Sequence, residues 1–538
     1  MNEFELLEAA VACHQRGELG KASTLYGEFL EKHPQHPDAL HLRGVALFQL
    51  NDAANAEPLL REAISINAEE PDYHSNLGLV LQALERPREA IDSFRAAVAL
   101  QPDFRDALIN LARLELKLDL PAAAIATFRR IIGVQNTDGG LLKEFVEALI
   151  ENRELAEAER TCRQLLEHDA TDVDTLVSLG HVQQVMKLFD DAEKTYLTAL
   201  ELDPTSARAT SNLGTIQMHR NEPEAALELF LKAIQLDTGF VEAYFNAGVA
   251  YQEVGDIDSA EQYFNAAISR REYLPRAYRY LSEIYRVRGK SELQRKTLKA
   301  WLEVAPESAT AKHLLAACDG NSSGSRASDE FIREEFDDFA STFDERLEKL
   351  EYTTPKQLID LLGRQDKAAG GFDRALDAGC GTGLCGHGMT RFAKSIVGVD
   401  LSGNMLEQAA ALDIYTELVE SELVEFMCAN PMTFDLAVSA DTLVYFGDLE
   451  PVFDAVEATL LPEGLFAFSV ERMQPAGEGG YRLQRSGRYC HAASYVESCL
   501  QSAGFRVIAK EESQIRMEAS QPVIGLLFVA QLNKSDSG

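Results

Sequence analysis

Four residues in the second half of the chain have the types and spacing of a nucleoside-binding loop. Asp377, Gly379, Gly381 and Gly383 occupy alternate positions after a short apolar run. Glycines let the backbone approach a ligand without a Cβ in the way, and the acid in front of them can meet a positive charge. A second apolar run ends in Asp400, and a carboxylate at the tip of a strand suits the hydroxyls of a ribose. The predicted chemistry is binding of a nucleoside cofactor by an enzyme.

The same loop also satisfies the GxGxxG pattern of dinucleotide enzymes, over residues 381–386, so a nicotinamide or flavin cofactor is an alternative. Two features weigh against that alternative. Asp377 would repel a pyrophosphate placed on the next helix, whereas it favours a cofactor that carries an ammonium and a sulfonium. Two extended runs, 505–509 and 523–531, predict a terminal hairpin that a simple dinucleotide fold does not require.

A 34-residue period runs through the first 308 residues. Alanine recurs at position 20 from Ala22 to Ala260 and is replaced only at Gln294, while position 8 is small and position 24 is bulky. Each unit is predicted to hold two short helices that bury their apolar faces by stacking, with the bulky residues filling gaps between units. Residues 1–308 therefore resemble nine tetratricopeptide repeats. Residues 309–329 are predicted to form a closing helix and a Gly/Ser linker.

The resemblance to tetratricopeptide repeats implies a superhelix whose concave surface binds an extended peptide. Position 6 of four repeats carries Asn76, Asn110, Asn212 and Asn246. An amide offers a donor and an acceptor, which match a peptide backbone. These asparagines resemble those that hold the polypeptide substrate in protein glycosyltransferases with similar repeats. The alternative is that asparagine is merely tolerated on a solvated helix face.

Residues 330–538 resemble a class I S-adenosylmethionine-dependent methyltransferase. The glycine loop, the strand that ends at Asp400, a strand at 434–438 and a turn at 461–465 follow one another in the family's order. The resemblance implies an α/β fold with a seven-stranded, mostly parallel sheet, helices on both faces and a reversed last strand. The whole chain is similar to bacterial repeat-containing methyltransferases. The domain is also similar to carboxyl O-methyltransferases that act on acyl-carrier-protein malonyl groups.

The resemblance to methyltransferases also implies contacts with S-adenosylmethionine. The three glycines would wrap the methionine part, Asp377 would reach its amino group, and Asp400 would hold the ribose. Glu422 stands where an Asp usually meets the adenine amino group, so its longer side chain leaves that contact open. The remaining implied contacts are Leu401 and Met405 on the adenine, and Ala440 and Asp441 beside the methyl donor.

Polar residues near the predicted methyl donor are candidates for the acceptor end of the site. The catalytic candidates are Asp441, Tyr445, Arg488 and His491, with Glu471 and Tyr489 nearby. Residues 487–491 bring together a cation, a phenol and an imidazole, which suit an anionic acceptor such as a carboxylate. A carboxylate acceptor needs no base, whereas an amine or a hydroxyl usually does. A structural role for the histidine is the alternative. No Asn/Asp-Pro-Pro-Tyr motif follows the fourth strand, which disfavours adenine bases and glutamine amides as acceptors.

The charge, the apolar runs and the cysteines of the chain indicate which ligands and which cellular location are favoured. The net charge of −35 disfavours nucleic acid and anionic membranes as ligands. No apolar run approaches the ~20 residues of a membrane span, and no basic segment followed by an apolar run begins the chain. Eight cysteines without a CxxC pair predict reduced thiols, no metal site and a cytoplasmic location. The basic segment 270–299 contrasts with residues 401–450, which lack Lys and Arg, so it either docks on the C-terminal domain or is simply solvated.

A helix is predicted over 330–362, before the first strand, with Phe336, Phe339 and Phe343 on one face. Such a stripe either packs in the core or covers the cofactor as a lid. Three functions remain open from sequence. The chain methylates a protein or carrier-bound acceptor recruited by the repeats, or it methylates a small carboxylate, or it is a scaffold with a weakly active domain. The oligomeric state is left open.

Overall fold

The computed structural model describes residues 3–134, 139–271, 273–320, 324–337, 340, 343–474, 479–518 and 521–533. The chain divides into two compact units, Met1–Val254 and Gly255–Gly538. The second unit therefore begins inside the repeat region, and the C-terminal sheet shares it with the last repeat helices. Within the described residues, no helix combines the length and the apolar character that crossing a membrane requires.

The first unit is built of helices of 12 to 14 residues that alternate with short turns. Consecutive helices pack against each other in pairs, as the two-helix repeat predicts. These helices are α1 Glu3–Gln15, α2 Leu19–Leu30, α3 Pro37–Gln49, α4 Ala53–Ile66, α5 Pro71–Ala83, α6 Pro87–Leu100, α7 Arg105–Lys117, α8 Pro121–Val134, α9 Gly139–Glu151, α10 Leu155–His168, α11 Val173–Val185, α12 Phe189–Leu202, α13 Ala207–His219, α14 Pro223–Leu236 and α15 Val241–Glu253.

The turn inside each helix pair contains one residue with a left-handed backbone. These residues follow one another at intervals of 34, as the period of the sequence predicts, and most of them are not glycine. They are Gly17, Asn51, Glu85, Asp119, Arg153, Lys187, Asn221, Gly255 and Gly289. The alanine at position 20 is fully buried from Ala22 to Ala260. The predicted two-helix repeat is confirmed.

The small residue at position 8 receives the bulky residue at position 24 of its own repeat. A Cβ on Gly78 would lie 2.7 Å from Phe94 Cε1, and one on Gly180 would lie 2.5 Å from Tyr196 Cε1. We expected the bulky residues to fill gaps between neighbouring repeats. The closest contact instead lies within the repeat, because the second helix folds back directly over the first.

The second unit begins with four helices that continue the repeat pattern and close it. The last of them, α19, ends at Gly320, whose left-handed backbone (φ 69°) stops the helix. The predicted closing helix is thus present over Ala309–Asp319. The four are α16 Ile257–Arg270, α17 Pro275–Val287, α18 Ser291–Val304 and α19 Ala309–Asp319.

The helix predicted over 330–362 is wrong as a continuous element. The structure has three shorter helices, α20 Asp329–Asp337, α21 Phe343–Lys349 and α22 Thr354–Gly363. Pro355 lies in the first turn of α22, where it starts a helix but cannot continue one from the preceding turn. Glu351 has a left-handed backbone (φ 52°), which ends the helical run before it. Phe339 lies outside the described residues.

A nine-stranded sheet forms the centre of the second unit, and its main part has the order β3-β2-β1-β4-β5-β9-β8. The first five of these strands are parallel, and β9 runs antiparallel to both β5 and β8. The predicted reversed last strand and terminal hairpin are therefore confirmed. A small hairpin, β6–β7, adds to the far end of β5. The strands are β1 Ala375–Ala378, β2 Ile396–Asp400, β3 Glu417–Glu420, β4 Phe434–Ser439, β5 Leu460–Arg472, β6 Tyr481–Leu483, β7 Tyr489–His491, β8 Phe505–Glu518 and β9 Gln521–Leu532.

Helices cover both faces of the sheet. Alternate residues of β4 face opposite sides, so that Leu436 and Val438 join one apolar cluster while Ala437 joins the other. Such two-sided burial is typical of a parallel sheet between helical layers. The helices of this region are α23 Asp366–Ala369, α24 Leu384–Met389, α25 Gly403–Ala410, α26 Leu423–Ala429, α27 Glu450–Thr459 and α28 Ala493–Ser502, with a 3-10 helix at Leu443–Tyr445.

Within the second unit, two arginines of the basic segment pair with acidic residues around the sheet. Arg279 bonds to Glu335 on α20, and Arg286 Nη2 lies 2.7 Å from Glu518 Oε1 on β8. The hypothesis that this segment docks on the C-terminal domain holds for these two residues. Their partners lie outside the 401–450 stretch that the charge pattern suggested.

Candidate functional site

A cavity lies at the carboxyl ends of β1, β2 and β4, where ligands of open α/β sheets bind. The glycine loop, the tip of β2 and the segment after β4 form its floor, and α20 and α21 contribute apolar side chains. The lining residues are Arg326, Ile332, Phe336, Phe343, Leu347, Leu350, Tyr352, Pro355, Asp377, Gly379, Cys380, Gly381, Thr382, Leu384, Cys385, Val399, Asp400, Leu401, Ser421, Glu422, Leu423, Ala440, Asp441, Thr442, Tyr445, Phe446, Arg488 and Arg516.

Two glycines of the loop both have left-handed backbones but differ in the space around them. Gly379 has φ 76°, and a Cβ on it would lie 2.2 Å from Thr442 Oγ1, so the loop packs directly on the segment after β4. Gly381 has φ 54°, and a Cβ on it would meet nothing within 4 Å. The backbone of Gly381 therefore borders open space, which is the cradle that a closely bound ligand requires.

Asp400 is held rigidly at the tip of β2 by two backbone amides. Gly381 N donates to Oδ2 at 2.9 Å, and Ser402 N donates to Oδ1 at 3.0 Å. Burial raises the pKa of this carboxyl above its ordinary value, and the amide bonds offset the rise only in part. Each carboxylate oxygen keeps a second lone pair, so the two oxygens of Asp400 can each accept one further hydrogen bond from a ligand in the cavity.

Asp377 is buried behind the glycine loop, where its Oδ2 accepts a hydrogen bond of 2.7 Å from the Tyr415 hydroxyl. Burial raises the pKa of Asp377 to about 7; the Tyr415 bond opposes the rise and the charge of Asp400 adds to it. A carboxyl group in this state is strongly stabilised by a cation placed beside it. Its position suits an ammonium group better than a phosphate.

Glu422 caps α26 and leaves one oxygen on the cavity wall. Its Oε2 accepts a hydrogen bond of 2.8 Å from Glu425 N. Its Oε1 lies 3.0 Å from Arg326 Nη1, but the geometry is not that of a hydrogen bond, and this oxygen has no hydrogen-bond donor among the described residues. A buried acceptor of this kind can take an amino group from a ligand.

The two apolar residues predicted at the adenine differ in position. Leu401 lines the cavity. Met405 is buried beneath the start of α25, where its amide donates to the capping hydroxyl of Ser402 at 3.1 Å, and it is not among the residues that line the cavity. The geometry does not support the Met405 contact, because the turn at Ser402 directs this first helical turn into the core.

The segments before the sheet cover the cavity and bond to its floor. Thr382 Oγ1 donates to Asp344 Oδ1 at 2.7 Å, and Ser402 Oγ donates to Asp337 Oδ1 at 2.6 Å. Phe336 and Phe343 pack edge to face, with ring centroids 5.9 Å apart, and both line the cavity. These aromatic residues thus face the cavity, in line with the covering role that the sequence left open.

The predicted acceptor end contains Ala440, Asp441, Tyr445 and Arg488, all of which line the cavity. Burial raises the pKa of Tyr445, against the opposing effect of Arg488, so its phenol is a proton donor at neutral pH rather than a base. Asp441 has a left-handed backbone (φ 58°), and its amide donates to Ser469 Oγ at 2.8 Å. This bond fixes the direction of the chain after β4.

Arg516 on β8 is a cavity residue that sequence reasoning missed. Its side chain is 2% exposed, and it pairs with Asp441 (Nη1 to Oδ2, 3.2 Å) and with Glu471. Its Nε has no hydrogen-bond partner among the described residues. Asp441 is therefore engaged in a buried ion-pair network. The available signal in the sequence was an arginine directly between Ile515 and Met517.

His491 and Tyr489 are structural, which corrects the prediction that they lie at the mouth of the site. Both side chains are buried; the His491 Nε2 lies 3.2 Å from Gly447 O, and the Tyr489 hydroxyl donates to Gly324 O at 2.9 Å. Burial lowers the pKa of His491 to about 4, so the ring is neutral at neutral pH. The reason is the alternation along β7, which places these two on the face opposite Arg488.

Cys380 and Cys385 line the cavity but have no thiolate character. Burial raises the pKa of both thiols well above the ordinary value, and the charge of Asp377 adds to the effect. A thiol in that state is a poor nucleophile. Among the described residues, no cluster of His, Cys, Asp and Glu has a metal-binding arrangement.

The four predicted peptide-binding asparagines occupy equivalent positions on α5, α7, α13 and α15 of the first unit, and all four are half-buried. Asn76 Nδ2 lies 2.8 Å from His41 Nε2 on α3. Part of this ladder is thus bonded to the preceding repeat. Asn212 likewise bonds to the Tyr196 hydroxyl of the preceding repeat, so two of the four asparagines have partners within the helices.

A parallel sheet with a reversed last strand and a nucleoside-type loop at its carboxyl edge defines an α/β domain of the methyltransferase class. Comparison with known families agrees. The chain matches the model of a methyltransferase domain over residues 376–468. It matches models of the tetratricopeptide repeat over residues 8–71, 75–139, 177–239 and 241–273. The chain therefore contains a methyltransferase domain and tetratricopeptide repeats.

Curated relatives resemble less than a third of the chain. The chain is 28% identical over 174 residues to the biotin biosynthesis bifunctional protein BioHC of Saccharophagus degradans, covering 29% of this chain and 30% of that protein. It is 32% identical over 109 residues to a ubiquinone biosynthesis O-methyltransferase of Vibrio cholerae, covering 19% and 44%. The chain thus spans less than half the length of these relatives. The solved structure of YrrB, described as a TPR protein with an unusual peptide-binding site, is 20% identical, with a TM-score of 0.29, and covers 34% of this chain and 95% of its own.

Proposed function

We propose that this protein transfers a methyl group from S-adenosylmethionine to a protein or carrier-bound acceptor that the repeats recruit. The observation that carries the proposal is one continuous cavity. It joins the glycine loop and Asp400 at one end to Tyr445 and Arg488 at the other. Cofactor-holding groups and acceptor-binding groups thus share a wall, as an in-line displacement between two bound reactants requires.

The cofactor end fits S-adenosylmethionine group by group. Asp400 presents two fixed carboxylate oxygens for the ribose hydroxyls. Glu422 Oε1, which has an ion pair with Arg326 but no hydrogen-bond donor among the described residues, accepts from the adenine amino group. Asp377 is positioned for the ammonium of the methionine part, whose charge favours its ionised form. Gly379, Gly381 and Gly383 leave room for close approach. When bound, the cofactor supplies a methyl group on a positively charged sulfur.

The acceptor end favours an anion. Arg488 lines the cavity, and its ion-pair partner among the described residues is Glu518, whose Oε2 lies 3.8 Å from Arg488 Nη1. This separation exceeds hydrogen-bond distance. Arg488 also bonds to the neutral phenol of Tyr445, and its five N–H groups leave further donors for a carboxylate. The protonated phenol of Tyr445 beside it adds a hydrogen-bond donor. A carboxylate acceptor also needs no general base, in agreement with the neutral, buried His491.

A small carboxylate is the second candidate acceptor, and the same Arg488 supports it. The chain's partial likeness to an O-methyltransferase of ubiquinone biosynthesis and to a biotin biosynthesis protein is compatible with either acceptor. The asparagine row of the first unit favours a polypeptide instead, because amides at regular spacing match an extended backbone. A scaffold with a weakly active domain is disfavoured by a cavity that holds groups for both reactants.

A labelled-methyl assay tests the proposal. The full chain is incubated with cell lysate and methyl-labelled cofactor, and the label is followed into polypeptide and small-molecule fractions. Label should enter a polypeptide or carrier fraction and be released by mild base, as a methyl ester is. An Asp400→Ala variant should give no incorporation. If label enters small molecules alone, the acceptor is a small carboxylate. If the full chain incorporates no label, the protein is a scaffold and not a methyltransferase.

The contribution of the repeats is tested with a chain that begins at Gly255. This cut follows the boundary between the two compact units. If the first unit recruits the acceptor, the shortened chain should bind the cofactor normally and lose label incorporation into the native polypeptide. Quadruple replacement of the four asparagines by Ala in the full chain should reproduce that loss. Unchanged incorporation in both would assign the repeats another role.

A further inference from the structure

An ion-pair chain links the last repeat to the acceptor end of the cavity. Arg286 lies in the last turn of α17, and its Nη2 is 2.7 Å from Glu518 Oε1 on β8. The other oxygen of Glu518 faces two cavity arginines, at 3.5 Å from Arg516 Nη2 and 3.8 Å from Arg488 Nη1. Glu518 is therefore shared, with its close contact on the repeat side and looser contacts on the cavity side.

Arg286 is itself fixed in place. It makes two bonds to Glu283 on the same helix, from Nε at 2.7 Å and from Nη2 at 2.6 Å, and its side chain is only 16% exposed. A largely desolvated and doubly bonded guanidinium is a rigid partner, unlike a surface arginine that samples many rotamers. The position of Glu518 is set from the repeat side.

The charge on Glu518 is also secured by these three arginines. Burial raises the pKa of this carboxyl, but the guanidinium groups of Arg488, Arg286 and Arg516 outweigh it, so the net pKa lies below its ordinary value. Glu518 is thus a permanent anion beside the cavity. Without Arg286 it would keep its charge and lose its closest partner.

We infer that Arg286 is a positioning residue for the methyltransferase site: it holds Glu518 away from Arg488, so that the Arg488 guanidinium stays available to an anionic acceptor. Without Arg286, the Glu518 carboxylate closes the remaining gap to Arg488 and occupies the fork. Arg286 and Arg488 thus compete for the Glu518 carboxylate, and Glu518 and the acceptor compete for Arg488. The inference rests on the proposed function in one respect, that the acceptor binds at Arg488.

Kinetics of the full chain test the role. Arg286→Ala should lower the rate of label transfer at limiting acceptor at least tenfold, while the cofactor Kd measured by calorimetry stays within twofold. The double variant Arg286→Ala with Glu518→Gln should recover most of that loss, because a neutral amide competes poorly for Arg488. Arg295→Ala is the matched control, since this arginine pairs with Asp319 outside the cavity, and it should behave as the unaltered protein.

Several outcomes would overturn the role. An Arg286→Ala protein with unaltered transfer, or one that loses cofactor affinity and transfer together, excludes a specific effect on the acceptor end. A double variant no better than the single one excludes competition by Glu518.

A crystal structure of Arg286→Ala separates this inference from the proposed function, because it needs no acceptor. Glu518 should be within hydrogen-bond distance of Arg488 in that structure. If Glu518 stays in place or turns to solvent, the inference is wrong even where the protein methylates its acceptor. If the carboxylate moves as expected but the unaltered chain transfers no methyl group, the proposed function fails and the ion-pair competition stands.

Discussion

The Tyr415 hydroxyl donates a hydrogen bond of 2.7 Å to Asp377, the acid that precedes the glycine loop. The bond joins β1 to the turn before β3 and supplies a donor to a carboxyl group that is 1% exposed. Because burial still brings the pKa of Asp377 to about 7, the group changes protonation near neutral pH. The charge that would anchor a cofactor ammonium therefore depends on pH.

Cofactor affinity should fall as the pH drops below about 7. An ammonium beside Asp377 favours the ionised carboxylate, so binding below that pH releases a proton and weakens by up to about tenfold per pH unit. Calorimetry between pH 5.5 and 8.5, in buffers of different ionisation enthalpy, measures both the affinity and the released protons. Tyr415→Phe should move the midpoint to higher pH, and Tyr273→Phe should not. A flat profile would show that Asp377 does not meet the ammonium.

Asp400→Asn should weaken cofactor binding by about 1.5–3 kcal/mol, the range for hydrogen bonds to a charged group. The two oxygens of Asp400 are both aligned by backbone amides, at 2.9 and 3.0 Å. An amide side chain can accept at only one of these positions, so it loses a ribose contact and disturbs the glycine loop. Asp373→Asn, at an exposed ion pair with Lys394, is the control and should leave the Kd unchanged.

Local patterns predicted most of the fold. The 34-residue period predicted every helix pair because each repeat buries the same positions. The strand that ends at Asp400 and the strand at 434–438 followed from short apolar runs that end in polar residues. Arg516 escaped prediction because the polar stretch 510–514 ended the predicted strand at Ala509, whereas cross-strand pairing with β9 carries β8 on to Glu518. The same long-range pairing, invisible to local periodicity, brings Arg516 next to Asp441 and Glu471.

Arg488 and His491 were predicted to act together at the acceptor end because they are close in the sequence. In the structure only Arg488 lines the cavity. Both lie within four residues, but strand alternation separates them, and only the registry of β7 on β5 decides which face meets the cavity. A sequence pattern shows that side chains are near one another along the chain. It does not show which of them share a wall.

Arg488 and His491 variants should therefore fail in different ways. Arg488→Ala should raise the KM for the acceptor at least tenfold with the cofactor Kd nearly unchanged. His491→Asn should leave the acceptor KM and the cofactor Kd unchanged. It should lower the free energy of unfolding at neutral pH, because a buried ring that stacks on Tyr495 is lost. If the His491 variant lost acceptor binding, His491 would have to be counted among the residues of the acceptor site.

The pKa of His491 also predicts how stability varies with pH. In the unfolded chain the imidazole takes up a proton near pH 6.5, whereas in the folded protein its pKa is about 4. Stability is therefore lost as the pH falls from 6.5 towards 4, by about 3 kcal/mol at most from this group. Thermal unfolding at pH 7.5 and 4.5 should show a smaller drop in Tm for His491→Asn than for the unaltered protein. The exposed His387→Asn should show no such difference.

The boundary between the two compact units, before Gly255, predicts which truncated chain folds stably. A chain that begins at Gly255 retains Arg279–Glu335, Arg286–Glu518 and the 2.5 Å bond from Arg485 to Ser291 Oγ. A chain that begins at Ala309, where the repeats end in sequence, loses all three. It also exposes the face of α19 that packs with Leu298 and Trp301. The longer chain should therefore behave as a folded unit, and the shorter one should be destabilised.

Thermal unfolding with and without cofactor distinguishes the two truncated chains. The chain from Ala309 should have a Tm lower by roughly 5 °C or more, in line with the loss of one to a few kcal/mol in a protein of this size. Cofactor affinity, set by Asp400 and the glycine loop, should change little in either chain. Restoring α16–α18 to the shorter chain restores Arg286 and the apolar cover of α19 together. Arg286→Ala in the longer chain removes the arginine but keeps the apolar cover of α19. If this substitution changes the Tm little while removal of α16–α18 lowers it strongly, the stability comes from packing. The effect of Arg286 on the acceptor is then one of charge.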